Sequence, residues 1–122
     1  MPISLYSKKV NFVSLKKSQK INGGFIVIPK HTLECDDYKY LNTYTKIVYQ
    51  TLLINFIRDK TINPGNQVCM TYSQIKKIAN ISERQIQRSI KELEIKGFIS
   101  TIHQGGLERN ASIYEINGRY IW

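Results

Sequence analysis

The stretch TYSQIKKIANISERQIQRSIKELEIKG, Thr71–Gly97, decides how the rest of the chain is read. Thr71 followed by Gln74 has the form of a capping box, in which each side chain satisfies a backbone N–H left unpaired by the first helical turn. Ser82 followed by Gln85 repeats the device. Apolar residues bracket both caps at staple spacing, Met70 with Ile75 and Ile81 with Ile86. Gly97 stands where a left-handed C-terminal cap belongs. Only Asn80, Ile81 and the cap Ser82 separate the two segments. A short helix, a tight turn and a longer helix make a helix-turn-helix, the arrangement that lays a second helix in a DNA major groove.

The second helix, read as Glu83–Lys96, has a core-facing stripe of Ile86, Ile90 and Leu93. Arg84, Arg88 and Lys91 recur at i, i+4, i+7 and stack along another face. Arg can grip guanine O6 and N7 with two hydrogen bonds, and Gln can do the same for adenine N6 and N7. The N-terminal part of such a helix reaches deepest, so Ser82, Arg84, Gln85 and Arg88 are the base-edge candidates. Lys91 is assigned to phosphate, with Gln87 a weaker base reader. The opposing reading is a solvated face with local ion pairs, such as Arg88 with Glu92 at i, i+4. At the start of the first helix, Thr71, Tyr72 and Ser73 offer N–H groups and hydroxyls to a phosphate, and Lys77 adds a peripheral cation.

Outward from this pair, Val68-Cys69-Met70 reads as a short strand before the Thr71 cap, and Asn63-Pro64-Gly65-Asn66 as a turn. A helix is expected from Thr43 to Arg58, with Asn42 or Thr43 as its cap. Residues 31–41 read as a short helix or turn, after a β-prone run, Phe25–Ile28, that ends at Pro29. After Gly97, Phe98–Ile102 and Ala111–Ile116 are two strands around a Gly-rich loop. His103, Gln104 and Arg109 surround that loop and are the candidate wing contacts, Arg109 suiting a narrow minor groove. The expected fold is therefore α+β: a winged helix-turn-helix, with a three-helix core and a small antiparallel β-wing. It spans residues 25–117, after an N-terminal segment 1–24 and before a C-terminal tail 118–122.

The chain has 122 residues and a formal net charge of +9. Such a balance favours a polyanionic partner. Residues 1–33 hold six lysines and no acid, whereas the rest carries twelve bases and nine acids. Lys8, Lys9, Lys16 and Lys17 would contact phosphates without reading sequence if residues 1–24 form a basic arm. A solvated tail and dimer-building strands are the alternatives. Cys35 and Cys69 lack paired Cys-x-x-Cys spacing, so reduced thiols are expected and a metal site is not. No cofactor, signal peptide or membrane span is expected. Asp36, Asp37 and Glu34 read as helix-start charges, and no nucleophile–base pattern or phosphate loop suggests an enzyme.

Two segments carry a resemblance. FIVIPKHTLECDDYKYLNTYTKIVYQTLL, Phe25–Leu53, resembles the opening of the winged-helix domain of plasmid and phage replication initiators. MTYSQIKKIANISERQIQRSIKELEIKGFI, Met70–Ile99, is similar to the helix-turn-helix of that group and of many small bacterial regulators. The shared pattern falls on Ser82, Arg84, Ile86, Arg88, Ile90, Leu93 and Gly97. The resemblance implies a double-stranded DNA-binding protein of a plasmid, phage or similar mobile element. Its role would be in replication initiation or its control, or in transcriptional regulation. A homodimer is expected, because one recognition helix reads only a few base pairs. The expected location is the cytoplasm, with nucleoid or plasmid. Initiators of this type carry a further domain, so a chain ending at Trp122 reads as an accessory or regulatory protein. The alternative function is a winged-helix protein–protein module that binds a host or replisome protein.

Overall fold

The computed structural model describes residues 25–105 and 111–122. The expected arm contacts at Lys8, Lys9, Lys16 and Lys17 and the wing contact at Arg109 lie outside them. Two short helices, α1 (Lys30–Glu34) and α2 (Asp36–Lys39), precede α3 (Thr43–Ile54). Then come β1 (Gln67–Met70), α4 (Tyr72–Ala79), α5 (Glu83–Ile95), β2 (Ile99–His103) and β3 (Ser112–Ile116), and a 3₁₀ turn at Gly118–Tyr120. The three strands form one antiparallel sheet in the order β1-β3-β2. Helix, strand, helix, turn, helix and β-hairpin in that order, with the first strand added to the hairpin, are a winged helix-turn-helix of the α+β class.

The local signals act where the sequence places them. Thr71 Oγ1 accepts the Gln74 N–H at 3.0 Å, while Gln74 Oε1 accepts the Thr71 N–H at 2.9 Å. A complete box of this kind stabilises a helix start by about 1 kcal/mol. The second cap is half a box. Ser82 Oγ accepts the Gln85 N–H at 3.2 Å, but the Gln85 amide turns to Ser89 Oγ at 3.5 Å instead of reaching back. Between the helices Asn80 takes a left-handed conformation, φ 58° and ψ 47°, which Asn tolerates better than other side chains. At the end of α5, Gly97 sits at φ 83°. The Phe98 N–H donates to the Leu93 carbonyl at 2.9 Å and the Gly97 N–H to the Glu94 carbonyl at 3.1 Å, which is a Schellman motif. Leu93 and Phe98, both fully buried, supply its apolar contact.

The sheet turns Val68, Met70, Ser112, Tyr114 and Ile116 inward and Gln67, Cys69 and Glu115 outward, the alternation of a half-buried sheet. Its inner face meets Val48, Tyr49 and Leu52 of α3, Ile75 of α4, and Ile86, Ile90 and Leu93 of α5 in one core. An irregularity between Thr101 and His103 bends β2 as it enters the wing.

Three sequence expectations change. Phe25–Ile28 forms no strand among the described residues, because no neighbouring strand edge pairs with it. The α3 helix stops at Ile54, not Arg58. Arg58 is drawn away, its guanidinium donating to the carbonyls of Ile121 and, at 3.4 Å, Val27. Asn63 organises the loop that follows, donating to the Ile57 carbonyl at 3.0 Å and the Gln67 carbonyl at 2.9 Å. Finally, residues 118–122, expected as a tail, pack into the fold. Tyr120 and Ile121 are buried, and the Tyr120 ring stacks on Phe98 with centroids 4.1 Å apart. Thr32 Oγ1 donates to the Tyr120 carbonyl at 2.6 Å, and the Tyr120 hydroxyl to Asp37 at 2.9 Å. Asp37 thus anchors the end of the chain besides standing at the start of α2.

Candidate nucleic-acid interface

The α5 helix buries one stripe, Ile86, Ser89, Ile90 and Leu93, against the core. At 100° per residue the opposite side carries Arg84, Arg88, Lys91 and Ile95, all exposed. The half-capped N-terminus leaves this stripe at the turn with Ser82 at its base. Glu83 in the first turn complements the positive end of the helix dipole.

The ion pair that the sequence spacing allows, Arg88 with Glu92, does not form. Glu92 accepts from the Thr45 hydroxyl at 2.5 Å and the Asn42 N–H at 3.3 Å, on the flank of α5 that meets α3. On the other flank the Thr101 hydroxyl of β2 donates to Glu94. Among the described residues the single ion pair is Lys30 with Glu34. The outward guanidinium and ammonium groups of α5 therefore carry no acidic partner among those residues. They form a cationic ridge whose flanking acids, Glu92 and Glu94, are bonded to Thr45 and Thr101.

Beside the ridge, on the wing side, a polar groove of about 370 Å³ is lined by Tyr72, Gln87, Ile90, Lys91, Glu94 and Gln104. Gln104 Nε2 donates to the Tyr72 hydroxyl at 3.0 Å, which ties the root of the wing to the first turn of α4. The Gly105 N–H donates to Ser112 Oγ at 2.9 Å and closes the hairpin behind it. Tyr114 lies under this region, and burial pushes its phenol up to about 12, an effect Ser112 offsets only in part. The ring thus stays neutral across the physiological range and adds no charge that would repel an anion.

The structure brings the sequence candidates together unevenly. Arg84, Arg88 and Lys91 share the ridge, and Gln104 stands across the groove from Lys91. Ser82 is exposed, with its oxygen engaged by the Gln85 N–H. Gln85 is half-buried and its amide is directed at Ser89, on the α3 side of the helix. Gln87, the weaker candidate by sequence, is the exposed carboxamide facing the wing. The 100° rotation per residue was the available signal. It places Gln87 beside Lys91 and Gln85 nearer the buried Ser89. At α4, Ser73 and Lys77 are exposed, Thr71 is occupied by its cap, and Tyr72 is buried with only its hydroxyl reaching the groove. His103 is exposed at the end of β2.

The cysteines have other surroundings. Cys35 donates to the Thr32 carbonyl at 3.1 Å, and His31 Nε2 lies 3.0 Å from the Trp122 carbonyl, so neither faces a shared site. Cys69 is an exposed free thiol on β1. Among the described residues no helix is long and apolar enough to cross a membrane, and no group of three or more His, Cys, Asp or Glu could hold a metal ion.

No protein-family model matches the chain. No curated protein matches it either. Among solved structures it is similar to one described as "N-Terminal domain of DNA binding protein", at 20% identity and a TM-score of 0.49, over 93% of this chain and 83% of that one. It is similar also to one described as "Structure of Rep-DNA complex", again at 20% identity and 0.49, over 93% of this chain and 84% of the other. The winged-helix assignment itself rests on the order of helices and strands within this chain.

Proposed function

We propose that this chain binds double-stranded DNA and reads its sequence through α5. The observation that carries the reading is the ridge of Arg84, Arg88 and Lys91, outward on a capped helix and free of acidic partners among the described residues. A row of cations held away from acids costs repulsion in the free protein. A polyanion relieves that repulsion, and the release of its counterions adds to affinity. Arg84, Gln87 and Arg88 are the base-reading side chains, each good two-bond contact being worth about 1–3 kcal/mol of discrimination. Lys91 and Gln104 hold the phosphate backbone on the wing side, and Ser73 and Lys77 hold it at α4. The protein works by binding, without catalysis, as a homodimer on paired half-sites. Its place is replication initiation or its control on a mobile element, which the resemblance of Phe25–Leu53 and Met70–Ile99 to replication initiators supports.

Selection of duplexes from a random library at physiological salt tests this reading. Enrichment of an inverted repeat is expected for a dimeric reader, and direct repeats would mark an origin. The Arg84/Arg88 double alanine variant should lose the enriched sequence. Unchanged enrichment in that variant removes α5 from the groove. If no duplex is enriched at all, the protein–protein module takes the place of this reading. The exposed Tyr40 and Tyr44, at 72% and 47%, are then its first candidate contacts.

A further inference from the structure

We propose that Glu92 is a positioning residue for DNA reading: it seats α5 against the start of α3 and keeps its charge off Arg88. The inference rests on the duplex-binding reading above. By sequence Glu92 is the natural neighbour of Arg88, one turn away on the same helix. In the structure its carboxylate is turned onto another helix. One oxygen accepts from the hydroxyl of Thr45, which is 1% exposed, and the other from the N–H of Asn42 at 3.3 Å. Asn42 is the N-cap of α3, and its own side chain is already used on the Tyr44 N–H at 2.9 Å. A carboxylate at this end of a helix meets the positive pole of the dipole, and charge-assisted hydrogen bonds are the stronger kind. Glu92 therefore fixes α5 to α3 at a point one turn beyond Arg88. A small rotation of α5 about its axis would swing Arg84 and Arg88 together away from the line on which both can meet base edges. Glu94, by contrast, is bonded to a single hydroxyl, that of Thr101, and is itself exposed.

The test uses the full chain as wild type, Glu92→Ala, Glu92→Gln and Thr45→Val. Each is titrated with the duplex selected by the wild type and with a scrambled duplex of equal composition, over a range of salt. Glu92→Ala should lower the ratio of selected to scrambled affinity by about tenfold, the value of one good base contact, with scrambled affinity equal or higher. Glu92→Gln keeps one oxygen to accept from the Thr45 hydroxyl, gives up the Asn42 bond, and should retain most of the ratio. Thr45→Val should reproduce part of the loss, and adding it to Glu92→Ala should lower the ratio no further, because the Thr45 bond is already gone in Glu92→Ala. If Glu92 mattered only as a negative charge, both Glu92 variants would tighten the two duplexes alike and leave the ratio unchanged. That result overturns the proposal. In the free protein, amide exchange at Asn42 should quicken in Glu92→Ala, and exchange as slow as in the wild type overturns the geometry without reference to DNA. A wild type that selects no duplex overturns the duplex-binding reading and this inference with it. A wild type that selects, beside a Glu92→Ala variant with an unchanged ratio, overturns the inference alone.

Discussion

The helix-turn-helix and the shell that packs behind it are built on opposite principles. Thr71–Gly97 is held by bonds between close neighbours: Thr71 with Gln74, Ser82 with Gln85, Gly97 with Glu94 and Phe98 with Leu93. The shell joins residues 25–41 to residues 117–122, and its bonds run between positions far apart in sequence. Thr32 reaches Tyr120, His31 reaches Trp122, Asp37 accepts from Tyr120, and Arg58 donates to Ile121. Arg58 and Lys60 also lie over the Trp122 ring, at 4.6 and 4.7 Å from its centre. Local bonds cost little chain entropy and form on their own terms, whereas the shell's bonds become favourable only after both ends have been brought together. The reading surface therefore lies on the locally specified part, and the shell holds its floor.

Phe98 joins the two regions, closing the α5 cap and stacking on Tyr120, so its removal should have the largest effect. Phe98→Ala is expected to cost about 3–5 kcal/mol in denaturant unfolding, with both regions lost in one transition. Two separated transitions would break the comparison, because the shell would then be an independent unit. Thr32→Val comes next. It keeps the shape of a fully buried side chain but removes the donor to the Tyr120 carbonyl, at a cost of about 1–3 kcal/mol. Thermal melts should show the loss across the whole domain, and unchanged melting would make the shell bond dispensable.

Gly97→Ala sharpens the local side. A Cβ there meets nothing within 4 Å, so the cost is the left-handed backbone alone, about 1–2 kcal/mol. A larger loss would show that the cap carries tertiary strain as well. The smallest effect is expected at Tyr49, which touches both sides through Tyr38 and Phe98, 6.1 and 5.4 Å between ring centres. Its hydroxyl is buried with no hydrogen-bond partner among the described residues, so Tyr49→Phe should raise stability by about 1 kcal/mol. The same burial raises the phenol above its ordinary 10.0, with Tyr38 adding to the shift. The unfolded chain then ionises first. The neutral ring's contribution is whole below pH 10 and declines as pH rises above it. Melts between pH 9 and 11 should fall less steeply for Tyr49→Phe than for wild type.

What the sequence determined by itself is the helix pair, the wing strands and the cationic stripe. Each depends on spacings of two to seven residues, and at that range periodicity, cap chemistry and the left-handed preference of Gly97 and Asn80 act before any tertiary contact. Folding decided the rest. Arg58 left the helix its neighbours favour because two distant carbonyls hold its guanidinium. Phe25–Ile28 joined no strand of the described residues, because β-propensity needs an edge to join. Helical rotation separates Gln85 from Gln87, but which of the two faces the wing was set by where the sheet and α3 lie around α5. Glu92 took Thr45 and Asn42 rather than Arg88 because packing brought those donors, 47 and 50 residues away, within bonding reach. Long-range proximity is a property of the closed core and leaves no mark in the local spacing of the chain.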